Sequence, residues 1–550
     1  MNYRVTKVDP KDNVLIALEN LAAGEEVMYQ GEAVRTTGKI AAKHKITTAD
    51  LQPGDPIIMY GVLVGRAQGF IPMGSLITQT NVRHDSQGFR IGDRKLDWQI
   101  PDVSRFSDRT FMGYHRKDGK VGTANYWLVI PLVFCENRNV EVIRDALEFG
   151  LGYGSGELKR AEVTRMVDFY KSGQSLEALL KTDFSMQASE VRAQRIFPNV
   201  DGIRFLSHEG GCGGTRQDAR ALCGLLAGYI IHPNVAGATV LSLGCQNAQA
   251  EILLEEIKRR DDNFSKPLFI LEQQKIGKEK DLISLAIKQT FSGLAEANQL
   301  ERKPAPLSKL CIGLECGGSD GFSGISANPA IGYTSDLLVA LGGSVILSEF
   351  PELCGVEQNL SDRCVTQVKA MRFEDLMNSY NKRAREAGSG FDMNPSPGNI
   401  RDGLITDAIK SAGAAKKGGT SPVTDVLDFP EMVTRPGLNL LCTPGNDVES
   451  TTAEVGAGAN LVLFTTGLGT PTGNPIAPVV KISSNTALAS RMPDIIDVDT
   501  GTIIDGDETI EEAGIRILEY AIGVASGEVE VAAVRNGQND FIPWKRGVSL

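Results

Sequence analysis

Four cysteines stand where apolar runs hand the chain to a turn: Cys135 in WLVIPLVFCEN, Cys212 in FLSHEGGCGGT, Cys245 in TVLSLGCQNAQ and Cys316 in LCIGLECGGSDGFSG. Such a run reads as a buried strand, and its turn sets polar groups at the carboxyl edge where open α/β sheets bind ligands. Thiolates there can hold iron or zinc, or react directly. The spacings are long and irregular, with no C-x-x-C, so a zinc ribbon is not indicated. A cysteine is also a good small core residue, and Cys223, Cys311, Cys354 and Cys364 read that way. His208 precedes a glycine-rich turn and could ligate metal or move a proton near neutral pH; its plain alternative is a turn histidine bonded to backbone. Lys43, His44 and Lys45 stand together in AAKHKITTADL. Two lysines would attract a carboxylate while the imidazole moves a proton, and the alternative is a solvated basic loop. His232 closes a helix before a proline and reads as structural. Asp320, Asn328, Glu349, Glu352, Asp447 and Asn474 follow apolar runs and offer oxygen ligands for Mn(II), Mg(II) or Fe(II). Each could equally be a turn or cap residue.

The elements that must position these groups alternate. Strands are expected at 125–134, 203–208, 238–244, 268–272, 310–315 and 344–348. Helices are expected from Arg216, Ala250 and Tyr333, with a charged helical stretch at 361–388. Strand, Gly-rich turn and helix in repetition indicate an α/β fold with mostly parallel sheets. The first hundred residues differ. LAAGEEV from Leu21, LQPGDPI from Leu51 and IPMGSLI from Ile71 repeat one turn pattern around a glycine, which predicts a small β domain. Boundaries are expected at 1–96 for that domain, 97–112 for a linker, 113–390 for the α/β domain with the strand-end cysteines, and 391–550 for a C-terminal α/β domain.

With 550 residues, 42% apolar and 23% charged, the chain reads as an ordinary globular protein of several domains. A net charge of -11 argues against a nucleic-acid or anionic-membrane partner. No apolar run approaches the roughly 20 residues of a spanning helix, and MNYRVTKVDPKDN lacks a signal-peptide layout, so the cytoplasm is expected. Nine cysteines and five histidines favour neither a disulfide scaffold nor an all-imidazole metal site. GGCGGT lacks the lysine and hydroxyl of a P-loop, and no dinucleotide fingerprint is present. The sequence does not set the oligomeric state; a homo-oligomer is left open.

The motifs resemble the altronate and galactarate dehydratase family along nearly the whole chain. The carrying segments include GYHRKDGKVGTANYWLVIPLVFC, HEGGCGG, LLAGYIIHPNVAGATVLSLGCQ, LECGGSDGFSGISANPAIGYTSDLL, NPSPGN, TPGNDVESTT and LVLFTTGLGTPTGNPIAPVVKISSNT. The resemblance implies an N-terminal β-clip domain of the SAF type, then α/β catalytic domains. It implies metal-dependent loss of water from a sugar acid to give a 2-keto-3-deoxy acid, with Fe(II) or Mn(II) as the metal. An iron–sulfur cluster on the strand-end cysteines is the alternative. On this reading His44, Lys45 and His208 are catalytic. Asn125, Ser319, Asp320, Asn328 and Lys481 bind substrate, and Cys212, Cys245, Cys316 and Glu349 hold the metal. The chain departs from the family pattern at Thr78 and Thr80, where a His-x-His pair is usual, and at Ala124 and Leu468, where arginines are usual. Fewer cations favour a mono-acid such as altronate over a di-acid. The alternatives are a related lyase on galactarate or sulfolactate, and a non-catalytic sugar-acid binder.

Overall fold

The computed structural model describes residues 4–154, 157–186 and 195–549. Short antiparallel strands make up the first unit: Val5–Thr6, Val14–Ala17 and Lys45–Thr47 form one sheet, and Pro56–Met59, Val62–Ala67 and Val82–Arg83 another. The repeated turns carry Gly24, Gly54 and Gly74 at φ of +73°, +90° and +79°. Glycine is needed for that left-handed backbone, and at Gly74 a Cβ would also lie 1.9 Å from the Arg35 carbonyl oxygen. Side chains alternate across a strand. Leu15 and Ala17 therefore enter a small local core with Val27, Val34 and Ile46. Val14 and Ile16 point the other way, into the large core of the remaining chain. The N-terminal unit is docked on the rest by its own pleat.

Two parallel sheets follow. The first has the order Gly202–Phe205, Tyr126–Pro131, Val235–Ser242, Leu268–Glu272. Helices Asn137–Leu151 and Glu279–Ala297 contribute to a core around Trp127 on one face, while Arg216–Ile231 and Ala250–Arg260 join the large core on the other. A sheet covered on both faces must be apolar on both, which explains the continuous apolar runs. The second sheet has seven strands, in the order Val423–Asp428, Gly437–Cys442, Ser344–Leu347, Cys311–Cys316, Leu461–Thr466, Val479–Ser483, Val498–Asp499.

The seven-stranded sheet overturns the expected boundary at 390. Strands from 311 to 347 pair with strands from 423 to 499, so residues on both sides of 390 build one domain. The prolines and glycine of FDMNPSPGN punctuate a connection inside it. Nor is 97–112 wholly a linker. Its last residues begin the strand Thr110–His115, which pairs with Lys303–Pro306. Entry to and exit from the first parallel-sheet unit thus lie side by side. The helix expected from Tyr333 starts earlier, at Ala327. Pro329 lies in its first turn, where a missing N–H costs no helical bond.

Candidate active site

The carboxyl edge of the seven-stranded sheet gathers a buried acid–lysine group. The Cys311–Cys316 strand ends in Glu315 and Cys316, both buried. Gly317 follows because nothing larger fits: a Cβ there would lie 1.9 Å from Asp447 Oδ2. On the adjacent strand, Glu349 takes a left-handed backbone with φ 60°. A non-glycine residue held so costs about 1–2 kcal/mol, and such strain concentrates at functional sites. Thr443 on the next strand end fixes the turn: its Oγ1 accepts the Glu349 N–H at 2.8 Å. The turn brings Glu349 and Glu352 to Cys316, whose Sγ lies 3.5 Å from Glu349 Oε2 and 3.2 Å from Glu352 Oε2. Lys417 Nζ reaches Glu349 Oε2 at 2.5 Å, and Lys410 Nζ reaches Glu352 Oε1 at 2.5 Å and Asn394 Oδ1 at 2.6 Å.

Desolvation and mutual charge set the protonation of this group. Burial and the neighbouring Glu349 push Glu315 well above the usual carboxylate range, which favours its protonated form. Burial opposes ionisation of Glu349 too, but Lys417, the hydrogen bond from Glu315 and Lys410 together outweigh it and hold Glu349 low. Burial and both glutamates push the Cys316 thiol well up. Burial, then Glu349 and Glu352, raises Asp447 to about 7. Burial lowers Lys481 to about 7; its Nζ donates to Thr472 Oγ1 at 3.0 Å and stands 3.6 Å from the Phe464 ring centre. The Glu315 and Glu349 carboxyl groups face each other in this buried group, and the shared hydrogen bond favours the proton on Glu315.

The Lys43–Lys45 loop of the N-terminal unit closes on the same edge. Lys43 Nζ pairs with Asp320 Oδ2 at 2.9 Å and Asp402 Oδ1 at 3.2 Å. Lys45 is 1% exposed, and its Nζ donates to the carbonyl oxygens of Gly403 at 2.7 Å and Lys43 at 3.0 Å. Burial brings its pKa down to about 7. A neutral amine has two N–H donors and one lone pair, so these two bonds leave the lone pair free. His44 is half-buried, and Nδ1 meets the Ala42 carbonyl oxygen at 3.1 Å.

The expected site residues divide between this edge and other places. Cys316 and Glu349 come together, joined by Glu352. The expected grouping of Cys212, Cys245 and His208 with Cys316 is corrected: none of the three belongs to the Cys316 group among the described residues. Cys212 and Cys245 are exposed at the edge of the four-stranded sheet, where Cys135 is exposed too. The turns carrying these thiols are tied together, Phe134 N to Gly210 O and Ala248 N to Gly211 O, both at 3.1 Å. His208 is locked as a structural residue there. Its Nε2 meets Pro131 O at 2.7 Å, its Nδ1 accepts the Gly210 N–H at 3.1 Å, and burial lowers it to about 4. His232 is held in the same manner and lowered by burial, then by Lys266, to about 3.

Asn125 is likewise no substrate ligand. Its amide donates to Asn199 O and Ala297 O and its oxygen accepts from Arg116, so every group is used inside the second domain. Asn328 Oδ1 accepts from Thr465 Oγ1 at 2.7 Å and its amide donates to Gly413 O at 3.0 Å, so it braces the turn from below. Ser319 is buried, with its carbonyl oxygen accepting from Asn399 at 2.8 Å. Asp320 accepts from Ser323, Ser484, Asn485 and the backbone of Phe322 besides pairing with Lys43. It anchors the loop of the N-terminal unit. Lys481 stays at the edge with its charge tuned. The residues that sequence reasoning missed are Lys410 and Lys417. A signal existed: IKSAGAAKK sets lysines seven residues apart in an otherwise small and apolar segment, which is unusual unless buried anions await them.

Buried carboxylates and lysines with shifted pKa values, gathered at a sheet edge beside a domain junction, mark a candidate active site. Three family models match in order: the altronate/galactarate dehydratase SAF domain over residues 3–85, the second domain of D-galactarate dehydratase/altronate hydrolase over 113–298, and the C-terminal domain of D-galactarate/altronate dehydratase over 307–549. The altronate dehydratase of Bacillus subtilis (strain 168) is 33% identical over 551 residues, covering 99% of each chain. The galactarate dehydratase (L-threo-forming) of Escherichia coli (strain K12) is 30% identical over 532 residues, 95% of this chain and 92% of its own. The beta subunit of the (2R)-sulfolactate sulfo-lyase of Chromohalobacter salexigens is 27% identical over 439 residues. The chain belongs to the altronate/galactarate dehydratase family, a family of hydro-lyases. Among the described residues no helix is long and apolar enough to cross a membrane.

Proposed function

We propose that this enzyme removes water from an altronate-like aldonate to give a 2-keto-3-deoxy acid. The observation that carries the reading is the junction at Asp320, where the loop bearing Lys43, His44 and Lys45 closes on the sheet edge that holds Cys316, Glu349 and Glu352. Loss of water requires removal of the C2 proton next to the carboxylate and protonation of the departing C3 hydroxyl. Lys45, whose pKa burial brings down to about 7, takes the C2 proton in its neutral form, which keeps a free lone pair. His44 on the same loop donates to the C3 hydroxyl through the ring nitrogen not engaged by Ala42. Lys43, whose charge is reinforced by Asp320 and Asp402 against burial, holds the loop shut and excludes water.

A divalent Fe(II) or Mn(II) fits the donor set of Cys316, Glu349 and Glu352. These ligand atoms lie within 4.8 Å of one another, and they combine one sulfur with two carboxylates. Such an ion supplies Lewis-acid stabilisation of enediolate charge. Lys410 holds the Glu352 oxygen turned away from Cys316, Lys417 holds Glu349 Oε2, and both lysines thereby orient the carboxylates. A second reading of the cofactor rests on the exposed thiols of Cys135, Cys212 and Cys245 on three neighbouring strand ends. Cys212 lines a cavity of about 600 Å³ with His208, Thr215 and Trp544, and exposed cysteines on adjoining turns are the ligand type of an iron–sulfur cluster.

The test is a panel of aldonates, aldarates and sulfolactate with anaerobically purified enzyme and Fe(II) or Mn(II), following keto-acid and sulfite. Altronate turnover with Lys45→Met inactive supports the reading; no product from any substrate overturns it. Iron with equimolar acid-labile sulfide, lost on Cys212→Ser, selects the cluster over the mononuclear ion. Turnover with C2 hydrogen exchange retained in Lys45→Met removes Lys45 as the base.

A further inference from the structure

The N-terminal unit brings a second set of ligand types to the domain seam. His84 follows its last strand, Cys354 follows Glu352 by two residues, and Asp407 opens the Asp407–Ala414 helix. One nitrogen of His84, the Cys354 thiol and one oxygen of Asp407 lie within 4.8 Å of one another. Two of these groups carry buried atoms with no hydrogen-bond partner, His84 Nδ1 and Asp407 Oδ2. Asp407 is 0% exposed; its other oxygen accepts a long bond from Ser411 Oγ at 3.4 Å, and the Cys354 thiol lies against its carboxyl group. The Cys354 thiol meets Ser86 Oγ at 4.0 Å. An unpaired buried polar group costs about 1–3 kcal/mol, so two in one place call for a missing partner. Sequence reading takes Cys354 as a plain core cysteine; the fold sets it between an imidazole and a carboxylate instead.

We propose that His84, Cys354 and Asp407 bind one borderline divalent transition-metal ion of the zinc class, which staples the N-terminal unit to the catalytic domain. Imidazole, thiolate and carboxylate are zinc's ordinary ligands, whereas Mg(II) and Ca(II) take oxygen donors. Zinc bonds of about 2.0–2.3 Å put tetrahedral ligands about 3.3–3.8 Å apart, so side-chain rotation closes the site. The backbones are already fixed across the seam. Thr406 Oγ1 donates to Val64 O at 2.9 Å, and Gln79 Nε2 donates to Ile405 O at 3.2 Å. A Cβ at Gly355 would lie 3.2 Å from Ser86 Cβ. The site shares no ligand with the Cys316 group and stands independently of the dehydratase reading.

The test is peptide-mapped alkylation of the chelator-stripped full-length protein with and without one equivalent of Zn(II). Zinc is expected to slow labelling of Cys354 at least tenfold, and His84→Gln or Asp407→Asn to abolish that protection. Cys316→Ser should leave it intact, which separates this site from the catalytic one. Zinc should also raise the Tm of the wild-type protein and not of Asp407→Asn. Unchanged Cys354 labelling in the wild-type protein with zinc, a result that needs no variant to fold, overturns the proposal. So does protection that survives both His84→Gln and Asp407→Asn.

Discussion

Lys43 and Asp320, 277 positions apart in the chain, form an ion pair of 2.9 Å across the domain junction. Asp320 is wholly buried while Lys43 keeps 19% of its side chain exposed. The carboxylate is therefore the fixed partner, braced from within its own domain, and the lysine is the latch that engages it.

Releasing the latch should be visible in both stability and turnover. Lys43→Met removes the charge-assisted contacts to Asp320 and Asp402 and leaves Asp320 its other donors, so a loss of about 1–3 kcal/mol is expected. Denaturant titration checks the stability. Turnover should fall by more than that destabilisation accounts for at temperatures where the variant is folded, because the loop bearing His44 and Lys45 loses its anchor.

Turnover should rise with pH through about 7. Lys45 has a folded-state pKa lowered by burial to about 7, so it is a usable base only above that value. Lys45→Arg, charged at every working pH, should be inactive across the profile. For stability the sign is as follows. Between about 7 and its unfolded value of about 10.4, Lys45 binds more protons unfolded than folded, so its contribution to stability rises with pH across that window. Lys45→Met should flatten that rise in pH-dependent unfolding.

The Glu349–Lys417 pair is buried at both ends. Glu349→Gln leaves Lys417 charged and unpaired in a dry interior, with an expected loss of about 3–5 kcal/mol. Glu349→Leu combined with Lys417→Met should recover much of that stability while abolishing metal binding. Thermal unfolding and metal analysis on the same samples distinguish the two effects.

Glu454 gives a test of opposite sign. Burial raises its pKa to about 8, with Oε1 accepting from Ser348 at 2.7 Å and from Leu314 N at 3.1 Å. The raised value means a contribution to stability that is full below about 4.3 and is lost as pH rises toward 8. Glu454→Gln should therefore lose less stability than the wild-type protein between pH 5 and 8 in urea titrations.

The sequence by itself determined the element types, because apolar runs ending in Gly-rich turns and helices of period 3.6 are local patterns. It determined the turns of the N-terminal unit through the glycines at 24, 54 and 74, since only their backbone freedom permits the observed φ. It also marked Cys316 and Glu349, since a polar group at a strand's carboxyl end is visible in the chain. Only the tertiary structure decided which strand ends share an edge. Cys212, Cys245 and Cys316 look alike in sequence, yet parallel pairing sends the first two to one sheet and the third to another. The same pairing erased the boundary at 390, because strands distant in sequence hydrogen-bond without any local sign of it. Burial, finally, separated alike residues: Lys43 keeps its charge beside two aspartates, while Lys45, two positions on and fully desolvated, has its pKa brought down to about 7.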